Sequence, residues 1–214
     1  MKLYKLTDAN GQTRNGTQWG ENVTHTAKGN PSKPLCSDAW IHAYTDPILA
    51  VFMAPIHVDF VNPQMWEAVG SGQNKSDSTK VGYQTITTIK QRPIPTITTT
   101  QRVAFGILAA KQVFKGAYWN KWADNWLANI NRTAIDTIGT TSTAAANAAA
   151  VNAAANANAA AVNTAATSAV NATNAAANAA NAASAAAYAA NAAYAAAYAA
   201  NIDLVTIAHE AMEY

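Results

Sequence analysis

The stretch "LCSDAWIHAYTDPILAVF", residues 35–52, decides the fold of the first half of the chain, because its hydrophobic period changes halfway along. In "WIHAYTD", residues 40–46, the side chains of Trp40, His42 and Tyr44 alternate with smaller apolar ones. This alternation has the period of a β-strand. We therefore predict a strand over residues 40–46.

The second half of the same stretch predicts a short helix. Asp46 is a residue type that caps helix N-termini well, and Pro47 suits the first helical position. Ile48 and Phe52 then fall on one helical face. We expect the helix to end at Pro55, because a proline inside a helix removes a backbone donor.

Strands and helices alternate in mixed order through the rest of this half, which is typical of an α+β domain. The fold class that we expect is α+β, with a small mixed N-terminal domain over residues 1–138 and a long alanine-rich α-helical segment over residues 139–214. The other expected elements of the domain are strands at 2–6, 65–72 (with a glycine-rich turn at its end) and 80–95, and helices at 98–114 and 117–130.

Two details stand out in the expected helices. Thr98 and Gln101 have the spacing of a capping box, in which each side chain bonds the backbone N–H of the other residue. In the next helix, Trp119, Trp122 and Trp126 recur at i, i+3 and i+7. This tryptophan stripe predicts a buried core face, and an exposed face for an interaction is the alternative.

The second part of the chain has a different composition. Residues 137–202 contain no Lys, Arg, Asp or Glu, and residues 140–214 contain neither Gly nor Pro. Alanine has the best helix propensity, and asparagine costs only about 0.6 kcal/mol more. We therefore predict an unbroken helix from about residue 141 to residue 210, acting as a stalk that associates with copies of itself or with another protein.

This alanine-rich tract contains an eleven-residue repeat, whose positions are Thr140, Val151, Val162, Thr173 and Ser184. Eleven residues make three helical turns, so the repeat lines up along one side of the helix. The line resembles that of type I antifreeze helices, and ice binding is therefore an alternative function. The interaction residues that we expect in the tract are Val151, Val162, Thr173, Tyr188, Tyr194 and Tyr198.

The composition also disfavours several partners. The net charge is +2 and the basic residues are scattered, so we expect no nucleic-acid partner. The asparagine amides of the tract disfavour a membrane span. We expect a cytoplasmic protein at synthesis, with association with virions as an alternative.

Cys36 is the only cysteine, which excludes an intrachain disulfide, and we expect it to be buried.

No catalytic sequence motif is present, and we expect no cofactor and no metal. An enzyme hypothesis remains, because His42 and Tyr44 would share one face of a central strand, with Glu67 on a neighbouring strand. Such sets occur in ADP-ribosyltransferase-like folds. The alternative, which we favour, makes His42 and Tyr44 hydrogen-bonded core residues.

Nine positions in the first 115 residues form a recognisable pattern, namely Cys36, Trp40, His42, Ala43, Pro47, Trp66, Glu67, Lys80 and Val81. Through this pattern the chain resembles a domain of unknown function that precedes alanine-rich repeats in phage, prophage and bacterial proteins. That resemblance implies a phage or bacterial origin and no particular reaction. The leading hypothesis is therefore a non-catalytic structural or interaction protein, related to phages or prophages.

Overall fold

The computed structural model describes residues 1–58, 60–113, 117–130 and 202–214. The chain divides into two compact units, Met1–Thr96 and Ile97–Tyr214, which we call the sheet domain and the helical unit. The expected domain boundary after residue 138 lies outside the described residues.

The sheet domain is built mainly from strands, and its longest element is a hairpin of two strands. Its strands are β1 (Lys2–Thr7), β2 (Gln12–Thr13), β3 (Thr17–Gln18), β4 (Thr24–Thr26), β5 (Ile41–Ala43), β6 (Gln64–Ser76) and β7 (Val81–Arg92), and its α-helix is α1 (Pro47–His57). A 3₁₀ turn at Arg14–Gly16 joins β2 to β3.

The main sheet is antiparallel and has the order β1-β6-β7-β4, with β5 also paired to β7. Tyr44, directly after β5, exchanges two backbone hydrogen bonds with Tyr4 of β1, at 2.8 and 2.9 Å. β5 therefore pairs with β7 along one edge, and the residue that follows β5 is bonded to β1 along the other edge. These bonds curl the sheet on itself, and the side chains of Leu3, Ala68 and Ile86 are fully buried in its core.

The glycine-rich end of the strand that we expected at residues 65–72 does not form a turn, which corrects our prediction. Strand β6 continues through Gly70 and Gly72 to Ser76. A Cβ at position 70 would lie 2.4 Å from the ring of Tyr83, so the glycine lets that ring pack on the strand. The hairpin turn comes after Ser76 instead, where Asp77 accepts hydrogen bonds from the backbone of the turn.

Helix α1 confirms the expected start and corrects the expected end. The Asp46 carboxylate accepts hydrogen bonds from the N–H groups of Ile48 and Leu49, at 2.8 and 2.9 Å. The helix does not stop at Pro55 but continues to His57. Although Pro55 cannot donate, the backbone N–H of Val58 donates to the Ala54 carbonyl at 3.0 Å, which closes the last turn beyond the proline.

The loop before β5 also differs from our expectation. Cys36 is exposed, so the prediction of a buried thiol is wrong. Residues 34–38 bend over the surface of the sheet domain, with the Ser37 hydroxyl donating to the carbonyl of Pro34. The side chain of Trp40, by contrast, is buried.

The helical unit contains α2 (Thr99–Val113), α3 (Ala117–Leu127) and α4 (Leu204–Ala211). The capping box at the start of α2 is confirmed, because Thr98 and Gln101 exchange hydrogen bonds of 2.9 and 3.1 Å. The Gln101 amide also donates to the carbonyl of Met212, which places the end of α4 beside the start of α2. An ion pair between Lys111 and Asp124 links α2 to α3.

The expected fold class is wrong in its second half. The described residues contain one large antiparallel sheet and four short helices, without a long alanine-rich helix. The prediction of an unbroken helix up to residue 210 is wrong at residues 202–203, which are not helical. Asp203 has an extended backbone there, and its carboxylate caps α4. Helix α4 buries Leu204 and Ile207, so the end of the chain is part of a packed unit. The tract up to and including Asn201 lies outside the described residues.

Candidate functional site

His42 is held by hydrogen bonds on both its ring and its backbone. Its Nε2 lies 2.6 Å from the carbonyl of Leu35, and its own carbonyl accepts a 2.8 Å hydrogen bond from Lys5 Nζ. Because a carbonyl only accepts, Nε2 carries the proton. Burial lowers the pKa of His42, and the positive charges of Lys80 and Lys5 lower it further, although the Leu35 bond opposes the shift. The ring is therefore a neutral donor to the loop.

Tyr44 and His57 form a hydrogen-bonded pair between the end of β5 and the end of α1. The Tyr44 hydroxyl lies 2.8 Å from Nδ1 of His57, and the two rings stack with centroids 5.8 Å apart. Burial raises the pKa of Tyr44 and lowers the pKa of His57 to about 3. The phenol therefore keeps its proton and donates to a neutral imidazole.

Glu67 belongs to a different set of contacts. Its carboxylate lies 3.2 Å from Lys2 Nζ and 3.7 Å from Arg92 Nε, and it sits opposite Tyr4 in the β1–β6 register. None of the contacts described for Glu67 involves His42 or Tyr44. The structure places His42 in β5 and Tyr44 directly after it, so the strand that we expected over residues 40–46 is shorter, at Ile41–Ala43. Glu67 instead contacts two cations at the sheet surface.

Three charged residues, Lys5, Lys80 and Asp77, lie beside the histidines and complete the candidate site. Lys5 is buried, and its ammonium lies 5.1 Å from the ring centroid of Trp19. Burial lowers the pKa of Lys5 to about 8. Lys80 is also buried and pairs with Asp77 at 3.5 Å, across the β6–β7 turn.

The sequence did not identify His57, Lys5, Lys80 or Asp77 as part of a site. One signal was present, since Asp77 precedes Thr79 by two residues, a spacing at which a carboxylate bonds the turn backbone. His57 was missed because the helix was expected to end at Pro55, which would have placed His57 outside it.

The tryptophan stripe lies in α3 of the helical unit. The side chains of Trp122 and Trp126 are buried, at 8% and 5% exposure. The side chain of Trp119 lies outside the described residues, as do the expected interaction residues of the tract, Val151, Val162, Thr173, Tyr188, Tyr194 and Tyr198.

In the described ranges, no three acidic, histidine or cysteine side chains stand together in a way that could hold a metal ion. Within the same ranges, no helix is long and apolar enough to cross a membrane. No protein-family model, curated protein or solved structure matches the chain.

Proposed function

We propose that this chain is a non-catalytic structural or interaction protein. The observation that supports this proposal is that His42 and Tyr44, the residues of the enzyme hypothesis, bond the backbone or another side chain of the sheet domain. His42 donates to the Leu35 carbonyl, and Tyr44 donates to His57. These bonds attach the loop before β5 and the end of α1 to the strand between them.

The protonation states of the pair support the same proposal. Efficient acid–base catalysis uses groups whose pKa lies near the working pH. Burial moves the pKa values of Tyr44 and His57 away from neutrality in opposite directions. Each group therefore keeps its protonation state near neutral pH, which suits a permanent hydrogen bond and not a proton transfer.

The relation to phages rests on the resemblance of residues 35–52, 65–72 and 80–90 to the phage and prophage domain. Members of that family carry alanine-rich repeats after the domain, as this chain does after residue 139. We infer a structural component of phage or prophage origin, whose partner is another copy or another protein.

A double-mutant cycle on Tyr44 and His57 tests the proposal. Tyr44→Phe, His57→Leu and the double variant are unfolded with urea at pH 7. Leucine cannot accept from the Tyr44 hydroxyl, so each single change removes the bond, and we expect a coupling free energy of about 1 kcal/mol or more between the two sites. The same proteins are incubated with labelled NAD⁺ and acceptor proteins, and we expect no label transfer. Zero coupling, or a transfer that Tyr44→Phe abolishes, would contradict the structural role.

A further inference from the structure

Three outlying segments of the sheet domain are attached through two histidines. The ring of His42 in β5 donates to the carbonyl of Leu35, in the loop before that strand. At the end of α1, the ring of His57 accepts from the Tyr44 hydroxyl, and the backbone carbonyl of His57 accepts a 3.2 Å hydrogen bond from Arg14. The Leu35 loop, the end of α1 and the 3₁₀ turn between β2 and β3 are therefore all bonded to His42 or His57.

The bond between Tyr44 and His57 requires a neutral imidazole. Nδ1 of the neutral ring accepts from the Tyr44 hydroxyl, whereas a protonated imidazole carries a hydrogen on both nitrogens and accepts nothing. The bond from His42 Nε2 to Leu35 is different, because a protonated ring still donates. Protonation therefore breaks the Tyr44 bond directly, while at His42 it acts through charge.

The charges around the two rings oppose protonation. Among the described residues, four charged side chains outside the pair act on the rings, namely Lys5 on His42, Arg14 on His57, and Lys80 and Asp77 on both. Three of these four are cations. The Asp77 carboxylate, the one anion among them, also accepts from the backbone N–H groups of Thr79 and Lys80. Burial is the largest cause of the lowered pKa of each histidine, and the cations lower it further.

We propose that His42 and His57 form an acid-sensitive switch, which releases the end of α1 and the β2–β3 turn from the rest of the sheet domain. In the closed form both imidazoles are neutral. In the open form the rings reach solvent and bind protons, so acid favours opening. The β6–β7 ladder stays paired in the open form, because its backbone bonds do not involve the imidazoles. The switch adds a regulation to the sheet domain and does not depend on the proposed function.

The size of the response follows from proton linkage. His57 has its ordinary pKa of 6.5 in the open form and a pKa of about 3 in the closed form. The stability that the neutral ring gives the closed form is complete above about pH 6.5 and is lost as the pH falls toward 3. Between about pH 7 and about pH 5, the equilibrium constant for opening should rise about 25-fold through His57 alone. His42, whose pKa is also lowered, acts in the same direction.

Amide hydrogen exchange in the full ¹⁵N-labelled chain tests the switch. The reporters are the N–H of Val58, which bonds the Ala54 carbonyl at the end of α1, and the N–H of Trp19, which bonds the Gly11 carbonyl beside β3. After correction for the intrinsic exchange rate, both opening constants should rise about tenfold or more from about pH 7 to about pH 5. Both should also exceed the opening constant of Ile86, a core residue of β7, at each pH.

Two results of this pH series would overturn the proposal. Opening constants that do not change with pH would show that opening takes up no proton. Opening constants equal to that of Ile86 throughout would show that only global unfolding exposes the reporters. The series uses the unmodified chain, so it decides the proposal even where a variant fails to fold.

Variants assign the response to the imidazole. His57→Asn does not titrate and should lose most of the rise at Val58 and Trp19. Tyr44→Phe removes the hydrogen bond but keeps the titrating ring, so it should open more at pH 7 and still show the rise. His209→Asn, in α4 of the helical unit, is the matched control and should keep the full rise. A full rise in folded His57→Asn, or its loss in folded Tyr44→Phe, would contradict the switch.

Discussion

Acidification should destabilise the sheet domain through His57. In the unfolded chain this imidazole has its ordinary pKa of 6.5, while burial in the folded state lowers the pKa to about 3. Between these values the unfolded state binds a proton that the folded state does not. The stability that the neutral imidazole contributes is therefore complete above about pH 6.5 and is lost as the pH falls toward 3.

The size of this effect follows from the shift. Lowering the pH from about 6.5 to about 5 spans 1.5 units, and at about 1.36 kcal/mol per unit the free energy of unfolding falls by about 2 kcal/mol. His42 has a lowered pKa too and adds to the loss, whereas the lowered pKa of Asp77 acts below its ordinary value of 3.8.

The measurement is urea unfolding between pH 7 and pH 4.5 for the unmodified chain and for His57→Asn. Asparagine does not titrate, and its side-chain oxygen can accept from Tyr44 near the position of Nδ1. We expect His57→Asn to be less stable at pH 7 but to lose about 2 kcal/mol less on acidification to about pH 5. Parallel pH profiles for the two proteins would refute the reasoning.

Four further changes test the packing. Asp46→Ala should cost about 1 kcal/mol of unfolding free energy, because α1 loses its cap, as measured by urea unfolding. Gly70→Ala should cost about 1–3 kcal/mol, since the new methyl meets the ring of Tyr83, and a crystal structure of the variant should show that ring displaced. Glu67→Gln should change stability by about 1 kcal/mol or less, because the ion pairs lie at the surface, and a larger loss would show a buried role. A chain that ends at residue 201 lacks α4, and amide exchange should then accelerate in α2 while the sheet domain stays protected.

The elements of both units were predictable where a pattern is local. Alternation indicated the strands, and Asp46 and the Thr98–Gln101 pair indicated two helix starts, because each of these signals acts over a few neighbouring residues. The continuation of β6 past Gly70 was not predictable, because this glycine makes room for the ring of Tyr83 on the neighbouring strand. A glycine needed for close packing and one needed for a turn look alike in a sequence.

The end of the chain was mispredicted for a related reason. Propensity alone favours one continuous helix up to residue 210, and it outweighed the local signal of Asp203. Asp203 is the first charged residue after a long uncharged tract, and its carboxylate accepts from the N–H groups of Val205 and Thr206. The new helix is stabilised by burial against α2, a tertiary contact that composition does not reveal.

In the candidate site, too, the local strand pattern was predictable and the contacts with distant segments were not. His42 and Tyr44 were identified because alternation put them on one strand. Their partners come from the Leu35 loop and from the last residue of α1, and both depend on where those segments fold back. Ice binding and self-association through the tract stay predictions, testable by ice-recrystallisation inhibition and by light scattering.

The central claim is that buried polar side chains hold the sheet domain together in fixed protonation states. Imidazole ¹⁵N shifts of His57, assigned with the His57→Asn variant, test this claim most directly. We expect His57 to remain neutral, with the proton on Nε2 and Nδ1 accepting from Tyr44, when the pH of the folded protein is lowered from 7 to about 5. Protonation of His57 in the folded protein with a midpoint near 6.5 would contradict the account.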